Sequence, residues 1–359
     1  MRKFRASLIA IALTAAIGTA NAVSPFTGTV YSANEGDGSI SAITLSTGAV
    51  RTIDIPVVPH NVQISPDGKL LLAVGTAASE GHGGHSGHGG HGEDVENKPA
   101  SSNASHAHGG DPGLVLINAS KPDELIATLP AGSHPAHVVT SHDGALAYVT
   151  NADTNRVTVV DINRKAIVAE IPTGGYPHGL RLSPDGIRLF VANVTDNSVS
   201  VIDTRNLKES ARIRVGKAPV QVAFTPDGNQ VYVSLRDEDS VAVIDTDSQK
   251  VTDTIRVGRG PIQLFSTPDG SKVYVANEGS ESNPDNTVSV IDTATRRVVA
   301  TVRTGKGAHG VVASDDGKLV FITNNKADTV SAIDTKTQSV VATYEVGSNP
   351  NGITYRATQ

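Results

Sequence analysis

Apolar and polar positions alternate along most of the chain in short runs, each bounded by Gly, Pro, Asn or Asp. A period of two over so few residues predicts β-strands, and the turn residues between runs predict tight connections. Four such runs recur as a unit. The first run follows a polar residue and leads into an Asp-Gly turn. It reads Pro59-His60…Pro66-Asp67-Gly68, Ala136-His137…His142-Asp143-Gly144, and Pro177-His178…Pro184-Asp185-Gly186. It continues with Val220-Gln221…Pro226-Asp227-Gly228, Ile262-Gln263…Pro268-Asp269-Gly270 and Ala308-His309…Asp315-Asp316-Gly317. A truncated copy, Pro350-Asn351-Gly352-Ile353-Thr354-Tyr355, ends the chain. Pro presets φ in these turns, Asp tolerates the bend and Gly takes the left-handed position.

The second run carries an aromatic and ends on Asn, as in Tyr148-Val149-Thr150-Asn151, Phe190-Val191-Ala192-Asn193, Tyr274-Val275-Ala276-Asn277 and Phe321-Ile322-Thr323-Asn324; Tyr232-Val233-Ser234-Leu235 departs from it. The third run ends on Asp, as in Val199 to Asp203, Val241 to Asp245 and Val288 to Asp292, and the fourth leads to a Gly, as in Val298 to Gly305. Counted from His60, successive copies begin 77, 41, 43, 42, 46 and 42 residues apart. A period of roughly 42 residues with four strands per unit is the signature of a propeller blade. The chain opens in mid-blade, because Val30-Tyr31-Ser32-Ala33-Asn34 already matches a second run, and it closes on a first run. Pairing these two ends completes a seventh blade and hides the sheet edges. The fold expected for residues 23–359 is therefore an all-β, seven-bladed β-propeller with four antiparallel strands per blade.

These motifs resemble the YVTN-repeat propellers, the YncE-like or cytochrome-d1-like group, over essentially the whole of that span. The resemblance implies the fold. It implies little about activity, because unrelated functions share this scaffold.

The first 22 residues stand outside the repeat. Arg2, Lys3 and Arg5 precede an uncharged apolar run from Leu8 to Ala20, followed by Ala20-Asn21-Ala22. This pattern predicts a secretory signal peptide cleaved before Val23, and hence a periplasmic or secreted protein. The run is too short for a membrane span, and no other stretch is apolar enough to supply one. Cleavage removes three positive and no negative charges, taking the formal net charge from −6 to −9. Such a chain lacks the basic surface that nucleic acid needs. It contains no Cys, which excludes disulfides, thiolate chemistry and a c-type haem attachment, so a metal must be held by His, carboxylate, amide or backbone donors.

The candidate chemistry lies in two groups of histidines. Strand direction puts the polar residue of each first run on one rim of the channel, where the seven copies supply His60, His137, His178, Gln221, Gln263, His309 and Asn351. His134 shares a loop with His137. Two readings are open here. Neutral imidazole is a strong ligand for zinc, copper or nickel, whereas Gln and Asn at three positions suit polar residues that cap channel-lining backbone groups. The other group lies in an insertion at about 78–112, where His82, His85, His88 and His91 alternate with Gly and Ser and are followed by His106 and His108. A segment so poor in apolar residues cannot fold alone, but it can wrap a divalent cation. It falls between the second and third strands of the blade that begins with His60, on the same rim.

The expected function is a metal-binding propeller, for zinc or another late first-row divalent metal. In it, the His-rich loop captures the ion beside the channel mouth, in a buffer, chaperone or accessory role. The partner expected is a periplasmic metal-handling or membrane-transport protein, and the chain is expected to be monomeric. Two alternatives stand beside it. The family resemblance implies a haem-d1-type redox or cofactor-biosynthesis propeller with a ring His as axial ligand. The other alternative is a non-catalytic scaffold that displays loops to a protein partner. No Ser/His/Asp order, phosphate loop or carboxylate pair stands out from the repeats, so no catalytic residue is assigned. The recurring Asn of the second run is expected to bond turn backbone. The recurring Asp of the third (Asp161, Asp203, Asp245, Asp292, Asp334) is expected to close turns.

Overall fold

The computed structural model describes residues 26–78 and 112–358. The signal-peptide segment and the histidines of the insertion, His82 to His108, lie outside the described residues. The described chain forms seven four-stranded antiparallel sheets. We number the blades I to VII from the one that holds both chain ends. Blade I pairs Pro350–Arg356, innermost, with Thr29–Asn34, Ser39–Thr44 and Ala49–Asp54 in that order. Blades II to VII follow in sequence over 57–130, 135–172, 177–214, 219–256, 261–303 and 308–345. Each innermost strand packs beside the next, and the innermost strand of blade I lies against those of blades VII and II, which closes the ring.

Burial follows the position of each strand. Outermost strands such as Lys250–Arg256 alternate exposed and half-buried residues, as a sheet edge facing water should. Second and third strands are buried on both faces, as in Arg188–Asn193 and Ser198–Asp203. Their side chains fill the wedges between blades. One cluster joins Phe190, Val199 and Val201 of blade IV to Val222, Val231 and Val233 of blade V. Another closes the ring, joining Val30 and Ile43 of blade I to Leu319, Phe321 and Val330 of blade VII. The aromatic of the second-run motif is the largest group in these wedges: Tyr31, Tyr148, Phe190, Tyr232, Tyr274 and Phe321 are all essentially inaccessible.

The repeated polar residues have structural work, with one difference from expectation. The third-run Asp residues do close turns: Asp161 Oδ1 accepts from the Arg164 amide, and Asp334 Oδ1 from the Lys336 and Thr337 amides. The second-run Asn residues bond mainly side chains rather than turn backbone. Asn193 Nδ2 donates to Ser198 and Ser200 Oγ, and Asn324 Nδ2 donates to Thr329 Oγ1 and Ser331 Oγ. The hydroxyls of the third strand reach the amide because residues two apart share one face of a strand. Asn324 Oδ1 also accepts from the Gly305 amide at 3.0 Å, and a side chain at Gly305 would collide with Asn324. Asn324→Ala is therefore expected to leave buried hydroxyls and an amide unpaired and to cost about 1–3 kcal/mol in urea unfolding.

The innermost strands are not regular. In blade III, Pro135 pairs with Asn151 and Val138 with Val149, so Ala136 and His137 together oppose Thr150. The same extra residue recurs in blades IV to VII at His178, Gln221, Gln263 and His309. Such a bulge bends a strand and re-aims its side chains. In blade III, Thr150 Oγ1 satisfies it by accepting from the His137 amide and donating to the His178 carbonyl of the next blade at 2.6 Å. Blades I and II have register shifts of their own beside Asn351 and His60, so bulges set all seven polar residues at the channel mouth.

Candidate metal centre at the channel mouth

Six of the seven ring residues are buried, and His60 is half-buried. The three histidines from consecutive blades converge: one ring nitrogen from each of His60, His137 and His178 lies within 4.8 Å of the other two. Their ring centroids are 4.7 Å apart for His137 and His178, 5.2 Å for His60 and His178, and 5.5 Å for His60 and His137. His309 stands across the channel, 6.5 Å from His60 between centroids. His134 is not among the converging groups. It is exposed on the loop before His137, and its Nδ1 faces Asp153 Oδ1 at 3.3 Å.

The capping and the ligand readings apply to different nitrogens of the same rings. His178 Nδ1 donates to the Val220 carbonyl at 3.3 Å. His60 Nδ1 faces Glu35 Oε1 at 3.4 Å. Both contacts favour a proton on Nδ1, which in the neutral ring leaves a lone pair on Nε2. The two Nε2 atoms lie 3.2 Å apart. Two lone pairs at that separation repel unless a proton or a cation lies between them. A zinc ion with bonds of about 2.0–2.1 Å to two tetrahedral ligands holds their nitrogens about 3.4 Å apart, so the spacing fits a shared metal. The third ring offers His137 Nε2, which is buried with no hydrogen-bond partner among the described residues. Gln221 Oε1 is held by the Val222 amide, and its Nε2 approaches His137 Nδ1 at 3.5 Å. Ligation through His137 Nε2 would place a proton on Nδ1 and break this contact, which is already at the limit of hydrogen-bond reach.

A carboxylate supports the cluster. Asn351 Nδ2 donates to Glu35 Oε2, which fixes the carboxylate against His60. Across the mouth, Asn325 Nδ2 donates to Glu278 Oε1. Burial alone would lower the His60 pKa, but the charge and hydrogen bond of Glu35, with help from Glu278, raise it above the ordinary value. His137 goes the other way. Burial and then the neighbouring His178 and His60 push it well down, so it stays neutral and able to bind. His309 is also lowered, chiefly by burial, with Glu278 opposing. Above the ring lies a pocket of about 490 Å³ lined by Glu35, His60, His178, Glu278 and His309, with Tyr176 and Arg236 at its rim.

Reasoning from sequence missed Glu35 and Glu278. A signal was present. Both follow the Asn of the second-run motif, where other blades carry Ala152, Val194, Arg236 and Asn325. Residue 77 ends the second strand of blade II on the rim where Gly75 pairs with Pro59, so the insertion leaves the fold beside His60.

Comparison with known proteins agrees with the blade geometry. A YNCE-like beta-propeller model matches residues 182–281, a Cytochrome D1 heme domain model matches 236–351, and a seven-bladed lactonase propeller model matches 117–224. The chain is a seven-bladed β-propeller, parts of which are similar to YncE-like, Cytochrome D1 and lactonase propellers. Among solved structures, it is similar to hydrazine synthase from Kuenenia stuttgartiensis at 22% identity. That match covers 85% of this chain and 96% of that one, with a TM-score of 0.67. It is also similar to a functionally unknown protein from Desulfotomaculum acetoxidans at 16% identity, covering 93% and 100%, with a TM-score of 0.72. These likenesses concern the fold. No curated protein matches the chain. No helix among the described residues is long and apolar enough to cross a membrane.

Proposed function

We propose that this propeller binds a late first-row divalent metal, zinc foremost, at its channel mouth through His60, His137 and His178. One observation carries the reading: three imidazoles from consecutive blades converge, with the Nε2 atoms of His60 and His178 3.2 Å apart and His137 Nε2 without a partner among the described residues. An all-imidazole set suits zinc, copper or nickel rather than calcium or magnesium. Three protein ligands leave a further position facing the pocket, where His309, a water or a partner's ligand can bind. The His-rich insertion begins on the same rim, which supports a role in capture followed by transfer to the ring. The leader-like N-terminus supports a periplasmic or secreted location, and there the metal site would serve a buffer, chaperone or accessory role beside a metal-transport partner.

Deletion of residues 81–110 tests the division of labour. Calorimetry should show fewer bound ions with the tight ring site retained. Unchanged stoichiometry and affinity would remove the loop from the account.

Glu35 gives a pH test. Metal and proton compete for His60, and its raised pKa lets the proton hold on to a higher pH than on an ordinary imidazole. Zinc affinity should therefore fall as pH is lowered through that elevated range. Glu35→Gln should weaken zinc binding about 10–100-fold at pH 8, because the supporting carboxylate is lost. It should also move the proton competition to lower pH. An unaltered pH profile in this variant would contradict the role given to Glu35.

The match to the Cytochrome D1 heme domain supports a second reading, in which His60 or His178 ligates a haem seated in the pocket above the ring. A visible spectrum of protein purified from its native compartment separates the two. Haem bands favour the second reading, and bound zinc, copper or nickel without them favours the first.

A further inference from the structure

Below the imidazole ring, the channel carries a positive charge with no counter-charge among the described residues. Arg181, three residues after His178 on the innermost strand of blade IV, extends across the channel to the Phe265 ring of blade VI, 5.8 Å from its centroid. Its only hydrogen bond among the described residues is from Nη1 to the neighbouring Leu180 carbonyl at 3.1 Å. None of the ion pairs among the described residues includes it, although acidic residues outnumber basic ones by 36 to 30 in this chain. Burial lowers its pKa to about 10, so it remains charged at neutral pH, with no ion-pair partner among the described residues. A guanidinium has five N–H donors, and a partly buried one is normally matched to acceptors.

One further observation points to what would match it. A cavity of about 250 Å³ lies against the guanidinium, lined by Arg181, Phe224, Phe265, Ser266 and Thr267. A planar cation with spare donors at the edge of a small cavity lacks only an acceptor-bearing group to fill it. We propose that the channel below the ring binds a small oxyanion, a carboxylate or a phosphate, through the Arg181 guanidinium. The fork of Arg181 matches two oxygens of such a group, which a halide cannot offer. Phe265 holds the guanidinium in place by its ring face. This site is separate from the imidazole cluster and needs no metal.

The test uses the mature full chain stripped of metal with a chelator. Thermal unfolding and calorimetry are run with potassium phosphate, potassium acetate and potassium chloride at equal ionic strength. Phosphate or acetate should raise Tm and show one binding event where chloride shows none, since a ligand that binds only the folded state stabilises it. Arg181→Gln should abolish that increment, and Arg181→Lys should weaken binding at least about tenfold, because the charge is kept but the fork is lost. Arg181→Met should melt higher than the parent in chloride, where the buried charge lacks a partner, and should gain nothing from either oxyanion. Whichever of phosphate or acetate acts identifies the headgroup. The proposal is overturned if neither binds the parent protein, or if the increment survives in Arg181→Gln. Arg181 would then be a structural plug held by Phe265 and water. Zinc affinity measured on the same variants keeps this outcome apart from the fate of the metal reading.

Discussion

His178→Ala is expected to weaken zinc binding at the channel mouth on the order of 100-fold or more, because it removes one of three converging imidazoles. The side chain is buried in the ring, and its Nε2 lies 3.2 Å from that of His60. The fold loses single contacts such as that of Nδ1 to the Val220 carbonyl, about 1 kcal/mol each. Affinity and stability should therefore separate. The variant should unfold near the parent midpoint while competing poorly with a chromophoric chelator. The measurement is cleanest in a chain without residues 81–110, whose histidines offer a competing set of ligands. His134→Ala serves as the control. That ring is exposed and faces Asp153, so its loss should leave zinc affinity unchanged.

Removal of residues 350–359 is expected to have the largest effect on stability. This segment is the innermost strand of blade I, with Ser32 paired to Ile353 and Val30 to Tyr355. Without it the second strand loses its partner, the strands lining the channel on either side lose their neighbour, and the ring opens between blades VII and II. Ile353 also leaves the cluster that joins Val30 to Phe321, and a buried Ile alone carries about 1.5–3 kcal/mol. With the ladder bonds added, the loss approaches the whole stability of an ordinary domain, about 5–15 kcal/mol. Calorimetry should show loss of the cooperative transition, and a synthetic peptide spanning 348–359 should restore part of it. A truncated protein that melts like the parent would mean that ring closure contributes little.

The architecture could be read closely from the sequence because repetition averages out local ambiguity. Any one run such as Val241 to Asp245 could be misassigned, but seven copies in phase could not. The ring of polar residues was legible for the same reason. Which members converge was not. A spacing of roughly 42 residues places each His on its own blade, but it does not say that bulged strands turn His60, His137 and His178 toward one another and leave His309 across the channel. The bulge depends on Thr150 accepting from one strand and donating to the next, a contact between blades that has no local signature. Arg181 was hidden differently. In sequence it occupies an ordinary alternating position, and only the radial arrangement shows that its guanidinium points into the channel rather than into water.

The recurring Asn residues show how a correct role can rest on the wrong partner. Repetition marked them as structural, and they are, but through third-strand hydroxyls such as Ser198 and Ser200 rather than turn backbone. The pairing was visible after the fact, since Ser or Thr stands at those positions in several blades. It became compelling only once strand register placed the two side chains together.

The most direct test of the central claim is anomalous diffraction at the zinc edge from crystals of the mature protein grown with one equivalent of zinc. The account predicts a single dominant peak at the channel mouth, within about 2.0–2.1 Å of one ring nitrogen of each of His60, His137 and His178. A channel mouth without a peak, in crystals whose zinc sits elsewhere on the protein, would contradict it.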